Sequence, residues 1–264
     1  MKSKKMVALA VACHPDDIEF SMAGTLLLLK EVGCEIHMWN LSSGNCGTAT
    51  LLPQDATAQR IGEARSSALL AHATFHTPLF HDLHIFSDAQ CLRRVGAHIR
   101  SIRPDIILTH PLHDYLEDHQ NTARLAVTAA FGRAMMNFPV DPPTPTYDKP
   151  TAIYHAMPHG LMGPLREKIT AHGIVDIASV SKMKRHMLAC HASQKEWLDK
   201  TQGMDSYLDS MEDNNKAVAK TFGKFEQAEA WTRHAPMGFA DADFHPLKNL
   251  LGNKFYNLEG QEPI

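Results

Sequence analysis

The apolar run MVALAVAC, residues 6–13, stops at His14, Pro15, Asp16 and Asp17, with Glu19 close behind. So apolar a run reads as a strand buried on both faces. A histidine and three carboxylates at its end constrain the fold more than any other feature. Further runs rich in Val, Ile and aromatics lie at 35–42 (EIHMWNLS), 105–110 (DIILTH) and 151–157 (TAIYHAM). Helical patterns separate them. MAGTLLLLKEVG ends on Gly33, a C-cap signal. Residues 57–73 and 89–102 carry apolar side chains at three- and four-residue spacing. Strand alternating with helix implies right-handed βαβ units and a mainly parallel sheet. The expected fold class is therefore α/β, a Rossmann-like three-layer sandwich with a helical C-terminal extension.

The Pro-rich segment 138–150 can continue neither a helix nor a central strand and is expected as an exposed connection. One or two more strands should follow, then a long helical stretch over 179–230. With no repeat, low-complexity segment or flexible linker, residues 1–264 read as one domain. Its motif-bearing core is 1–194, and 195–264 is a helical cover of unassigned role.

Composition excludes several classes. With 26 Lys and Arg against 29 Asp and Glu, the net charge of −3 gives no bulk attraction to nucleic acid or an anionic membrane. The N-terminal apolar run is far too short to span a bilayer and leads straight into a polar cluster with no cleavage site, so a cytoplasmic location is expected. Five scattered cysteines, an odd number without a C-x-x-C pair, fit neither a disulfide framework nor a cysteine zinc site.

In open α/β sheets, ligands bind beyond the carboxyl ends of the strands. His14 to Asp17 lie just past the first strand, and HPLHDYLEDHQN (110–121) just past the run 105–110. The two ends can bring His14, Asp16, Asp17, Asp114, Asp118 and His119 to one edge. Such oxygen and imidazole donors suit zinc or a similar divalent ion, and a spare carboxylate beside them suits a base for a metal-activated water. Against this stands ordinary turn chemistry, since Pro followed by Asp is common in turns and the chain has seventeen histidines. His14, Asp17 and His119 could also be a two-histidine, one-carboxylate iron triad, although that chemistry usually sits on a β-barrel with different spacing.

The motif Cys13-His14-Pro15-Asp16-Asp17-Ile18-Glu19 resembles the signature of the PIG-L/LmbE-like family of zinc-dependent de-N-acetylases, with Cys at its small first position. SSGNCGT (42–48), RIGEARSSALLAHA with Arg60 and Glu63, HDLHIF (81–86) with Asp82, PLHDYLEDHQN, and DIASVSKMKRHMLACHASQ (176–194) resemble further segments of that family. The resemblance spans roughly residues 6–194.

It implies that His14, Asp17 and His119 hold Zn²⁺ or another divalent metal, and that Asp16 is the unligated general base. Glu19 would support the site or simply sit at a helix N-terminus. Arg60, Asp82 and Tyr115 would contact a polar substrate. For Asp114, turn and supporting roles are both open. His191 and Gln194 would pack or cap. In one respect the chain departs from the family: the histidine usually found three residues before the metal histidine is Leu116. Another side chain must then donate to the oxyanion. His113 and His159 lead the candidates, with His110, Tyr115 and His155 behind them. The implied activity is removal of an N-acyl group, in the first place N-acetyl, from a sugar-based or similar small polar substrate. The alternatives are a metal-binding family member with lost or altered turnover and a zinc esterase acting on O-acetyl groups. The expected partner is an N-acetylated small molecule, with a homo-oligomer left open, and no nucleic acid or membrane is expected.

Overall fold

The computed structural model describes residues 5–194, 197–198 and 207–259. Among them, eight strands form one sheet in the order β3-β2-β1-β4-β5-β7-β6-β8. The strands are β1 Val7–Ala12, β2 Glu35–Asn40, β3 Thr74–His76, β4 Ile106–Thr109, β5 Ala152–Ala156, β6 Gly173–Asp176, β7 Ala228–Arg233 and β8 Phe255–Asn257. The first five pair in parallel, and β7, β6 and β8 join antiparallel. The helices are α1 Asp17–Ser21, α2 Ala23–Glu31, α3 Pro53–Leu70, α4 Ala89–Ile102, α5 Glu117–Phe131, α6 Ser181–Ala189, α7 Tyr207–Thr221 and α8 Pro246–Leu251. The α/β sandwich with a mainly parallel core is as the sequence implies.

β1 lies between β2 and β4, and its two faces feed two different cores. Ala8, Ala10 and Ala12 pack with α2, Ile36 and Met38. Leu9 and Val11 pack with Trp39, α4 residues Val95 and Ile99, and α5 residues Leu125 and Ala129. Alternation along a strand buried on both sides explains why the sequence is continuously apolar there. The order β3-β2-β1-β4-β5 reverses direction between β1 and β4, the place where α/β sheets open a crevice at their carboxyl ends.

The C-terminal part departs from expectation. The stretch 179–230 is not helical throughout. α6 and α7 are helices, but β7 begins at Ala228 and inserts between β5 and β6, while β8 closes the edge. Residues 195–264 are thus sheet as well as cover, with 195, 196, 199–206 and 260–264 outside the described residues. Three of the six side chains of β7 are polar or charged (Glu229, Thr232, Arg233), and Glu229 is 3% exposed.

Glu229 explains the insertion. Its Oε1 and Oε2 accept the N–H groups of Gly24 and Thr25 at 2.8 and 2.7 Å, capping the start of α2 from the other end of the chain. Lys184 of α6, fully buried, donates to Glu229 Oε1 at 2.7 Å and to Asn215 of α7 at 2.9 Å. Gly24 has to lack a side chain, because a Cβ would stand 2.9 Å from that carboxylate and 2.6 Å from Ile177.

Removing one partner of a buried pair strands the other charge. Glu229→Gln or Lys184→Met should therefore each lower unfolding stability in urea by about 3–5 kcal/mol. The double variant should lose clearly less than the sum, since neither charge is then left alone. Additive losses would show that the pair is not coupled.

Candidate metal centre

β1 and β4 end side by side, delivering His14 to Asp17 from one strand and His110 from the other. α1 starts at Asp17 and α5 at Glu117, and the first turn of α5 carries Asp118 and His119. Around Asp17 Oδ2, three imidazole nitrogens converge: His110 Nε2 at 3.2 Å, His14 Nδ1 at 3.4 Å and His119 Nε2 at 3.4 Å. Donor atoms placed about 2.0–2.2 Å from a tetrahedral ion stand roughly 3.3–3.6 Å apart. The separations from Asp17 match such edges, and the donor atoms of Asp17, His110 and His119 all lie within 4.8 Å of one another, as a divalent cation needs. His14 closes to that distance with Asp17 and Cys13 but not with His119, so a shared ion needs the two imidazoles to draw together.

The three histidines are not equivalent. The N–H of Cys13 donates to His110 Nε2 at 2.9 Å, which engages that nitrogen's lone pair. His110 instead stacks on His119, with centroids 4.0 Å apart and planes 9° off parallel. His14 and His119 each keep a nitrogen facing Asp17 and back the other with a carboxylate. Asp118 Oδ2 lies 3.4 Å from His14 Nε2, and Asp114 Oδ1 lies 3.1 Å from His119 Nδ1. A carboxylate behind a ligating imidazole fixes its tautomer and raises its basicity. Cys13 Sγ sits 3.4 Å from His14 Nε2. It is buried in the core, and burial pushes its thiol up to about 12.

Burial works against the charged form of every group here. For Asp17 it is overcome by His119 and His110, which hold the carboxyl well below the usual range. For His119 it is overcome by Asp17 and Asp114, which raise the imidazole to about 9.

Asp16 lies beside these donors and faces another way. Burial raises its carboxyl to about 6, against the pull of Arg60. Its backbone is left-handed, φ 112°, the strained conformation that closes the turn into α1. Its Oδ2 accepts from the Tyr207 hydroxyl, and its Oδ1 lies 3.6 Å from Arg60 Nη2. All of these groups line one cavity of about 500 Å³.

Of the residues singled out in the sequence, His14, Asp16, Asp17, Arg60, Asp82, Tyr115, His119 and His159 line that cavity. His113 is exposed and is not part of the cavity lining. The two expected substrate contacts, Arg60 and Asp82, are engaged in the fold as well. Arg60, 2% exposed, spends its guanidinium on Pro15 O at 2.6 Å and Gly44 O at 3.3 Å. Asp82 accepts from Ser42, from Gly44 N at 2.7 Å and from Cys46 N at 2.8 Å. Both build the loop 42–48. A Cβ at Gly44 or Gly47 would collide with Arg60, so those glycines make room for it.

Tyr115 is 62% exposed and meets His119 edge-on at 5.6 Å. His159 packs against Phe20 at 5.2 Å, and burial lowers its pKa. His155 is committed elsewhere, to His110 O and His234. Glu19, fully buried, accepts from Ser67 and lies 3.2 Å from His191 Nε2. Asp114 serves both of its open roles, accepting Leu116 N–H at 3.0 Å and backing His119. Sequence reasoning missed Tyr207, because its 191-residue separation from Asp16 leaves no local signal. It placed His110 only at a strand end.

The family pattern described as GlcNAc-PI de-N-acetylase, PIG-L, matches residues 9–130. Over this stretch the chain is similar to PIG-L, and the PIG-L segment includes His14, Asp16, Asp17, His110 and His119. Three solved structures share the fold over most of the chain. N,N'-diacetylchitobiose deacetylase from Pyrococcus horikoshii is 20% identical, with a TM-score of 0.72 over 91% of this chain and 88% of its own. A 4-carboxy-2-hydroxymuconate hydratase from Pseudomonas putida is 21% identical, with a TM-score of 0.69 over 88% of this chain and 97% of its own. The zinc-inhibited form of a teicoplanin deacetylase is 14% identical, with a TM-score of 0.62 over 87% and 99%. Among the described residues, no helix is long and apolar enough to cross a membrane.

His119 is protonated at neutral pH in the metal-free protein, and a metal can replace that proton only by releasing it. Zn²⁺ titrated calorimetrically at pH 7 in buffers of different ionisation enthalpy should show net proton release. Apparent affinity should climb with pH until about 9, where the imidazole is already neutral. Binding heats that do not depend on the buffer would separate His119 from the metal.

Proposed function

We propose that the protein is a metal-dependent hydrolase that removes an N-acyl, in the first place N-acetyl, group from a small polar, sugar-type amide. The observation that carries this reading is the pairing of two adjacent carboxylates with opposite surroundings. Asp17 sits amid imidazoles, and Asp16 is turned away from them with its pKa raised toward neutrality. Environments that push neighbouring carboxylates apart separate a ligand from a base. The PIG-L match and the deacetylase relatives of the same fold support the choice of reaction.

His14, Asp17 and His119 would hold Zn²⁺ or a similar divalent ion, which supplies Lewis acidity and makes water nucleophilic near neutral pH. Asp16 takes the proton of the attacking water, and with a pKa of about 6 it is mostly ionised at pH 7. The same carboxyl returns the proton to the departing amine. His159, in the cavity wall, is the side chain we assign to the oxyanion in place of the histidine that Leu116 replaces. Tyr115 and the apolar side chains of Phe20, Leu116 and Met157 shape the space for the rest of the substrate.

Hydration of a carboxylated substrate, as named for the Pseudomonas putida relative, fits this cavity less well. Among the described residues lining it, Arg60 is the permanent cation, and its guanidinium is buried against Pro15, Gly44 and Asp16.

The zinc-loaded protein should release acetate from one or more members of a panel of N-acetylated sugars. Asp16→Asn should retain its metal and lower kcat by about 10²–10⁴-fold, the contribution of a positioned general base. Loss of zinc on that substitution would exchange the roles of Asp16 and Asp17. If no panel member is hydrolysed at full metal occupancy, de-N-acetylation is the wrong reading. His159→Ala should cost about 10²–10³ in kcat if it serves the oxyanion.

A further inference from the structure

The base proposed above is held from a part of the chain that the PIG-L segment does not include. Asp16 has two carboxylate oxygens and two different donors. Arg60, within the segment, faces Oδ1, and Tyr207, the first residue of α7, donates its hydroxyl to Oδ2. Tyr207 is fixed in place. Its ring is 4% exposed, packs with Leu188, Leu198 and Met211, and stacks on Phe20 at 6.2 Å. The hydroxyl nevertheless borders the cavity beside the metal-facing residues.

A phenol has one proton to give, and here it goes to the carboxylate. Asp16 occupies a left-handed backbone conformation that persists only when its surroundings hold it. A side chain mounted on such a turn has little of its own to fix its torsions. The Tyr207 hydrogen bond on Oδ2, with the Arg60 charge 3.6 Å from Oδ1, favours a single orientation of the carboxylate.

We propose that Tyr207 is a positioning residue for the reaction, fixing the Asp16 carboxylate so that it meets the attacking water in the geometry that proton transfer needs. This rests on Asp16 being the base. Tyr207 touches neither metal nor reacting atoms in this role and acts through Asp16. A tyrosine that merely filled space could be replaced by Phe at a cost in stability alone.

Tyr207→Phe keeps the ring and removes the donor. With zinc content and melting temperature recorded, kcat on any amide that the wild type hydrolyses should fall about 10–100-fold, as for other partners that orient an active group. KM should stay within about two-fold, because the substrate's own contacts are intact. In the Asp16→Asn background, Tyr207→Phe should cost nothing further. Acetohydroxamate, a metal-chelating amide analogue, gives a second cycle that needs no turnover. Its calorimetric affinity for the zinc-loaded protein should drop in each single variant and drop no further in the double. Wild-type kcat in Tyr207→Phe, or additive losses in the hydroxamate cycle, would overturn the assignment. A wild type that hydrolyses no amide but shows the coupled hydroxamate cycle would sink the proposed function and leave Tyr207 as the residue that positions Asp16.

Discussion

Burial of β1 on both faces is the constraint from which the rest of the structure follows. A strand closed in by β2 and β4 and covered by helices on each side cannot carry charge along its length. Polar chemistry is therefore confined to its carboxyl end, where the sheet order reverses and the neighbouring strand also ends. His14, Asp16 and Asp17 emerge at that end, and β4 brings His110 and the turn into α5 to meet them. The site is placed by topology first and by side-chain contacts second.

Those contacts form two layers with different tasks. Around Asp17 stand His14, His110 and His119, with Asp118 behind His14 and Asp114 behind His119. Behind Asp16, Arg60 ties the His-Pro-Asp-Asp turn to the loop 42–48, and Asp82 gathers that loop's N–H groups. Arg60 and Asp82 line the cavity and at the same time build this loop. Their task is to hold a strained turn whose own backbone would not choose this shape.

Much of this was legible in the sequence because it depends on short-range signals. β1, β2, β4 and β5 stand out as apolar runs, α4 runs over the 89–102 that its periodicity marks, and His14, Asp17 and His119 fall in two compact motifs. What was hidden depends on long-range partners. β3 is three residues long and half-buried, too short for a pattern. β7 carries Glu229 where a central strand should be apolar, and only the distant Lys184 and the start of α2 make that carboxylate intelligible. Arg60 reads as a substrate contact until Gly44 and Pro15 are seen to surround it. His113 reads as a site histidine until its loop turns it outward.

The position of β7 also bears on how the chain is made. It lies between β5 and β6 in the sheet yet follows both in the sequence. During synthesis from the N-terminus, β5 must wait with one edge unpaired until residues 228–233 leave the ribosome. The start of α2 likewise waits uncapped for Glu229. The parallel half of the sheet can collapse early, but its outer edge is an open template for other strands throughout that interval. A pause in translation before β7 would lengthen this exposure and favour aggregation over folding.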